Sequence, residues 1–342
     1  MNSTSVRTLK VNNGKGLMAF DSKADRIGMT GTLLVNNPYD LYCPMLFTGL
    51  INYNKWFFEN KFVIKDDWGK PMGYQNMGEL HEILYKSSIR RTKNLLDLPE
   101  KIYKQEWLDF DSKEEQNVFD AVIGNGNLSL LDKIEPPVDM LAIITRMRQV
   151  SVAGELVSSN VHTSTKFNRL NDILEEAKLN GQKVLVFCPF TEALKLGAEY
   201  YCAAYCPKLV IGGMGSKVQD VIDEHENTNG FSCIFAQEAT LGAGFTLVNT
   251  EIVVFLSPPW NRSNYDQCID RIHRIGQKHT VQVIDLLVQN TFDEIVYKRL
   301  HGKGAMSDAV IDGADIDELQ TFFRDMGISF DKNQIPKVSS LF

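Results

Sequence analysis

The feature that most constrains this chain is a series of apolar runs in its second half, interleaved with helix-like stretches. The runs are KVLVFCPF (183–190), KLVIGG (208–213), FSCIFAQ (231–237), EIVVFLS (251–257) and TVQVIDLLV (280–288). Strands that are apolar throughout are predicted to be buried on both faces. Interleaved with them, TEALKLGAEYYCAAY, SKVQDVIDEHE (216–226), YDQCIDRIHRIGQ (265–277) and TFDEIVYKRLHGK (291–303) carry helical spacing, with Thr191 the predicted N-cap of the first. GAGFTLVN (242–249) reads as a Gly-containing loop. Alternating strands and helices predict an α/β domain on a parallel sheet, with function at the carboxyl ends of its strands. On pattern alone, any doubly wound domain satisfies this.

The first half reads differently. ADRIGMTGTLL (24–34) is predicted to be one buried strand ending in a Thr-Gly-Thr turn. NNPYDLYCPMLFTGL, NYNKWFFENKF and MGELHEILYKSSIRRTK follow as aromatic-rich and helical segments, and SKEEQNVFDAVIGNG (112–126) and PVDMLAIITRMRQV (137–150) also read as helices. That is too few strands for a complete α/β domain; it reads as the tail of one, followed by helical insertions. The polar segment VSSNVHTSTK (157–166) is predicted to link the halves, and SDAVIDGADIDELQTFFRDMG (307–327) to form a terminal helical brace.

Charge narrows the partners. The net charge is −7 over 342 residues, so a basic field over the whole molecule is absent and nucleic-acid contact requires a local patch. The six cysteines, several inside apolar runs, are predicted to be reduced and mostly buried, as in an intracellular protein. The pair in CAAYC lacks companion ligands at zinc-site spacing and the six histidines are scattered, so no metal site is expected. No apolar run reaches the roughly 18 residues of a membrane span. The chain is expected to be soluble, in cytoplasm, nucleus or viral factory, without a membrane partner.

Residues 265–277 carry the chemistry. On a continuous helix, Gln267, Arg271 and Arg274 share one stripe, being four and three residues apart. Guanidinium forks suit phosphate oxygens, and two beside an amide form a grip for a phosphoryl group. The plainer alternative is an exposed salt-bridge helix, since Asp270 lies beside Arg271 and four residues before Arg274. Spacing alone leaves both open.

The string QCIDRIHRIGQ closely resembles the sixth helicase motif of the Swi/Snf-type ATPases of helicase superfamily two. Gln, three residues, Arg, two residues, Arg, then Ile-Gly-Gln all match. Other segments resemble that family in the expected order. RIGMTGTLLVNNPYDLY (26–42) is similar to the third motif, with Leu33 where the family usually has Pro. SSIRRTKNLLDLPEKIYKQEWLDF (87–110) is similar to its Arg-Arg-Thr-Lys segment and following strand, TSTKFNRLNDIL (163–174) to the Ser-x-Lys helix, and KVLVFCPF to the fourth motif. ATLGAGFTLVNTEIVVFLSPPWN (239–261) resembles the fifth motif and next strand, with one Gly and the Asn of the family pattern replaced, and AMSDAVIDG (305–313) the closing brace.

The resemblance implies a RecA-like parallel-sheet C-terminal helicase lobe preceded by the tail of a first RecA-like lobe with helical insertions. Its segments would be 1–50 (end of the first lobe), 51–156 (insertions and linker), 157–304 (second lobe) and 305–342 (brace and tail). It implies that Arg271 and Arg274 reach the γ-phosphate of ATP across an interlobe cleft, with Gln267 positioning them or the attacking water. Gly242 and Gly244 would permit close approach to nucleotide and nucleic acid. Thr30, Gly31 and Thr32 would couple the two sites. Groups near Pro189, Thr191, Ser216, Lys217 and Thr246 would track the backbone of double-stranded DNA. Thr191 as a simple cap and Lys217 as a solvated charge are the alternatives. Arg90, Arg91 and Lys93 would touch DNA or the other lobe, or else form a solvated helix end.

No phosphate loop of G-x-x-x-x-G-K-[ST] spacing and no Asp-Glu-x-His magnesium motif occurs; DEHE (223–226) falls inside a predicted helix. The expectation is that the chain starts downstream of both motifs and hydrolyses ATP with Mg²⁺ only when an N-terminal helicase lobe, in trans or in a longer parent chain, completes it. A non-catalytic relic binding nucleic acid or a partner is the competing reading. An RNA helicase of the same superfamily is a weaker third, against which the Ile-Gly-Gln ending and the brace argue.

Overall fold

The computed structural model describes residues 25–29, 41–65, 71–89, 96–124, 126–134, 140–241, 245–301 and 324. These fall into two compact units divided between residues 89 and 96.

The first unit contains helices α1 (Tyr42–Thr48) and α2 (Lys55–Phe62), strands β1 (Val63–Lys65) and β2 (Pro71–Tyr74), and helix α3 (Met77–Tyr85). The Asn54 side chain caps α2 by accepting from the Phe57 N–H. β1 and β2 pair antiparallel. Tyr42, Met45, Leu46, Phe58, Phe62 and Leu80 are buried together as its core. Residues 25–29 are neither helix nor strand, and Ile27 and Met29 are 80% and 92% exposed. The buried strand expected over 24–34 is therefore absent across those residues; the remainder of that segment lies outside the described residues.

The second unit contains β3 (Lys101–Leu108), α4 (Lys113–Val122), α5 (Met140–Val152), α6 (Thr165–Leu179), β4 (Lys183–Phe187), α7 (Thr191–Leu196), β5 (Lys208–Val210), α8 (Lys217–Asn227), β6 (Ser232–Ala236), α9 (Glu238–Leu241), β7 (Ile252–Phe255), α10 (Arg262–Ile269), β8 (Val281–Val288) and α11 (Asp293–His301). Six strands form one sheet in the order β3-β8-β7-β4-β6-β5, every neighbouring pair parallel. β4, β6 and β7 are buried at every residue, as apolar strands with helices on both faces require. The fold is α/β, a parallel sheet flanked by helices.

Three local expectations change. β3 comes from the first half of the chain and pairs with β8 over eight registered residues, from Lys101 with Val281 to Leu108 with Val288. Segment 157–166, expected to be a polar linker, is packed in: Val157, Ser158, Val161, Ser164 and Lys166 are all 0% exposed. Its polar groups are satisfied internally, the Ser164 hydroxyl donating to the Val152 carbonyl at 2.6 Å and accepting from the Phe167 N–H. Thr191 is the first residue of α7 and not its cap; Phe190 holds the cap position without a side-chain bond.

α7 passes into a π-helical turn, Gly197–Tyr201. A Cβ on Gly197 would lie 2.4 Å from the Phe167 ring, so only glycine fits where this turn crosses α6. Five of the six cysteines are buried and all six are free thiols.

Candidate functional site

Residues 265–277 were expected to be one helix, and they are not. α10 begins at Arg262, capped by the Asn261 side chain accepting from the Ser263 N–H at 2.7 Å, and ends at Ile269. Residues 270–276 continue as turns and bends. The Arg271 carbonyl accepts from the Leu247 N–H at 3.0 Å, which diverts it from a helical partner four residues on. Ile272 and His273 turn inward, at 0% and 6% exposure, and His273 Nε2 lies 2.7 Å from the Pro99 carbonyl. Arg271 and Arg274 are therefore displayed by turns, and helical periodicity does not relate them.

The same turns are stitched to the loop before β7. Arg274, which is exposed, donates from Nη1 to the Thr246 hydroxyl at 3.0 Å. Gln277 is buried; its Nε2 donates to the Thr250 carbonyl at 2.8 Å and its Oε1 accepts from the Lys278 and His279 N–H groups. Gly276 has φ +109°, a conformation that favours glycine. The Ile-Gly-Gln ending thus has an architectural reason: it folds the arginine turn back onto the segment carrying Thr246.

Of the other expected site residues, Gln267 sits on α10 and donates from Nε2 to the Ser263 hydroxyl at 3.4 Å. Thr191 is half-buried at the start of α7, after β4; exposed Ser216 and Lys217 open α8, after β5. These three follow carboxyl ends of parallel strands, the usual place for ligand contact in such sheets. Thr30, Gly31, Thr32, Arg90, Arg91, Gly242 and Gly244 lie outside the described residues.

Several polar residues near those carboxyl ends were not among the expected site residues, although Lys166 is the Lys of the Ser-x-Lys resemblance. Gln237 ties two loops, its Nε2 donating to the Pro189 carbonyl at 3.0 Å and its Oε1 accepting from the Gly212 N–H at 3.3 Å. Lys166 is 0% exposed, and its Nζ lies 2.6 Å from both Asp293 Oδ2 and the Leu256 carbonyl. Arg148 donates from Nε and Nη2 to the Ser257 hydroxyl at 3.1 and 2.8 Å, and from Nη2 to the Pro258 carbonyl at 3.0 Å. Burial lowers the Arg148 and Lys166 pKa values, and neighbouring carboxylates oppose this, Glu238 and Asp293 for Arg148 and Asp293 for Lys166. Burial also raises the Glu238 carboxyl to about 7, against the pull of Arg148. For Gln237, Glu238 and Arg148 the one sequence signal is a charged or amide side chain within or beside an apolar stretch, and it names no partner.

The expectation of no metal centre rested on spacing; among the described residues no group of three His, Cys, Asp or Glu side chains is placed to hold a metal ion. No helix of the described residues is long and apolar enough to cross a membrane.

Residues 165–276 match the helicase conserved C-terminal domain. An uncharacterized ATP-dependent helicase of Mycoplasma genitalium is 27% identical over 276 residues, 79% of this chain and 26% of that protein. The human SWI/SNF-related matrix-associated actin-dependent regulator of chromatin subfamily A member 1 is 27% identical over 323 residues, covering 84% of this chain and 29% of its own length. The chain thus spans 26% and 29% of these two curated relatives. The solved Sulfolobus solfataricus SWI2/SNF2 ATPase core in complex with dsDNA is similar with a TM-score of 0.52 and 25% identity, over 88% of this chain and 66% of that one. Residues 165–276 thus carry a helicase conserved C-terminal domain, and the chain is similar to the C-terminal helicase portion of the Swi/Snf-type ATPases of superfamily two.

Proposed function

We propose that this chain supplies the second lobe of a DNA-dependent ATPase of the translocase type, with Arg271 and Arg274 as the arginine finger for the γ-phosphate of ATP. The observation that carries this reading is the joining of the arginine turn to the loop before β7, through Arg274 to Thr246 and Leu247 to Arg271. Thr246 stands where the family pattern has lost its Asn, yet its hydroxyl still supplies a polar partner. That favours a working site over a relic.

The guanidinium groups would stabilise charge developing on the transferred phosphoryl oxygens, while Gln267 would orient them or the attacking water. Gly242 and Gly244 would allow close backbone approach to the nucleotide, and Thr30, Gly31 and Thr32 would couple the nucleotide and nucleic-acid sites. Thr191, Ser216, Lys217 and Thr246, with Arg90 and Arg91, would contact the phosphates of duplex DNA. The phosphate loop and the ligands of Mg²⁺ are assigned to a first lobe, in trans or in a longer parent chain, with segments 1–50, 51–156, 157–304 and 305–342 as the working division.

The test mixes the chain with a first-lobe polypeptide bearing a phosphate loop and measures DNA-stimulated ATP hydrolysis. Arg274→Ala is expected to lower turnover by on the order of 10³. Turnover equal to wild type overturns the finger assignment. A relic instead predicts salt-sensitive DNA binding that ATP never alters.

A further inference from the structure

Arg148 lies on α5, before the 165–276 segment that matches the helicase domain and outside every segment quoted above for its resemblance to the family. It nevertheless reaches three loops that leave the carboxyl ends of the sheet. Its guanidinium bonds twice to the Ser257 hydroxyl and once to the Pro258 carbonyl, in the connection from β7 to α10. It lies over the Phe190 ring, 5.7 Å from the centroid, in the connection from β4 to α7. It faces the Glu238 carboxylate at the start of α9, after β6, where Glu238 Oε1 is buried with no hydrogen-bond partner. The Arg148 residue is only 6% exposed.

These loops lead to different tasks. Phe190 adjoins Thr191, assigned to the DNA backbone; Ser257 and Pro258 lead into α10, and the turn that follows α10 carries Arg271. We infer that Arg148 is a positioning residue that couples the nucleic-acid loop at the carboxyl end of β4 to α10 and the arginine turn that follows it. This inference rests on the proposed function, because it requires that the chain binds duplex DNA.

The physical reason for an arginine is its planar, multidentate fork. One rigid group can hold a hydroxyl and a carbonyl on one loop while its face lies on an aromatic ring of another. A displacement of the Phe190 loop then reaches Ser257 through a stiff, buried group. Packed interiors transmit such shifts because they do not deform freely. Lys166 braces the same connection independently through the Leu256 carbonyl and Asp293, so the sheet retains an anchor there when Arg148 is altered.

The experiment is amide hydrogen exchange on the full chain, with and without a plain duplex DNA. In wild type, DNA is expected to slow exchange both in α7 and in residues 262–271, the latter by about fivefold. Arg148→Lys keeps the charge and loses the fork; Ser257→Ala keeps Arg148 and removes its two-bond acceptor. Both are expected to retain DNA affinity and the protection of α7 while losing the protection of 262–271. Circular dichroism and unchanged exchange in β4 and β6 establish that the variants fold. A merely structural role would not separate the two protected segments. Protection of 262–271 that survives both substitutions overturns the inference and leaves the functional reading intact, and so does a wild-type chain that binds DNA and protects α7 alone. A chain that binds no duplex overturns the functional reading, and the inference with it.

Discussion

Arg274 Nη1 donates to the Thr246 hydroxyl across 3.0 Å, joining residues 28 apart in sequence. The bond is exposed, so its contribution to folding is small, within about 0.5 kcal/mol. Its consequence lies in where the guanidinium points.

Thr246→Val preserves the side-chain shape and removes the acceptor. Its denaturation midpoint is expected to match wild type, while turnover of the completed ATPase falls roughly tenfold, equivalent to about 1.4 kcal/mol of barrier. Steady-state ATP hydrolysis beside Arg274→Ala checks this; equal turnover in Thr246→Val and wild type shows that the hydroxyl does not aim the finger.

Lys166 and Asp293 form an ion pair at 2.6 Å with side-chain exposures of 0% and 1%. Lys166→Met strands the Asp293 carboxylate in the core with the Val288 N–H still donating to it. The expected loss is about 3–5 kcal/mol, the range for breaking a buried pair from one side. Urea denaturation measures it, and adding Asp293→Leu to Lys166→Met is expected to recover part of the loss by removing the stranded charge.

His225 is buried between Ser232 Oγ at 2.9 Å and Thr250 Oγ1 at 3.0 Å, and burial, with Lys183 and Lys208 nearby, pushes its pKa down to about 3 from 6.5. The unfolded chain therefore binds a proton below pH 6.5 that the folded chain refuses until about pH 3. The neutral imidazole's contribution is fully present above pH 6.5 and is lost progressively as pH falls towards 3. Melting temperatures between pH 8 and pH 4 should fall less steeply in His225→Gln than in wild type; identical slopes would assign the acid limb to other groups.

Glu238 behaves with the opposite sign. Its folded carboxyl stands at about 7 against an ordinary 4.5, so the folded state holds a proton that the unfolded state releases. This contribution is present below pH 4.5 and is lost as pH rises through 7. Glu238→Gln is expected to gain stability relative to wild type at pH 8 and not at pH 4, read as the difference between two melting curves.

Gly197→Ala brings a Cβ to 2.4 and 2.6 Å from two Phe167 ring carbons and 3.0 Å from Phe235. Overpacking of this kind costs about 1–3 kcal/mol. Combining it with Phe167→Leu is expected to restore part of the loss in chemical denaturation; no loss in the single variant would mean that the π turn yields more readily than this packing implies.

Much of the fold is legible in KVLVF, SCIFA and IVVF, because strands buried on both faces must be apolar at every position. β3 is harder to place: KIYKQEWL alternates in exposure and mixes charged with apolar residues, as befits the edge of a sheet. Its pairing with β8 is a contact between distant segments that periodicity does not encode. The helix expected through residue 277 fails for a related reason. Local spacing favours its continuation, but the Leu247 N–H claims the Arg271 carbonyl and the core draws in Ile272 and His273.

The sequence by itself determined the parallel α/β class, the resemblance to the helicase family and the spacing that singled out the two arginines, since patterning and motif spacing are properties of local order along the chain. Only the tertiary structure decided that turns display those arginines, that Thr246 partners Arg274, and that Lys166, Asp293, Arg148 and Ser257 form a buried polar web under the strand ends. Those are partnerships between residues far apart in the chain. A lone charged side chain in an apolar stretch announces that it needs a partner, and only folding selects which one.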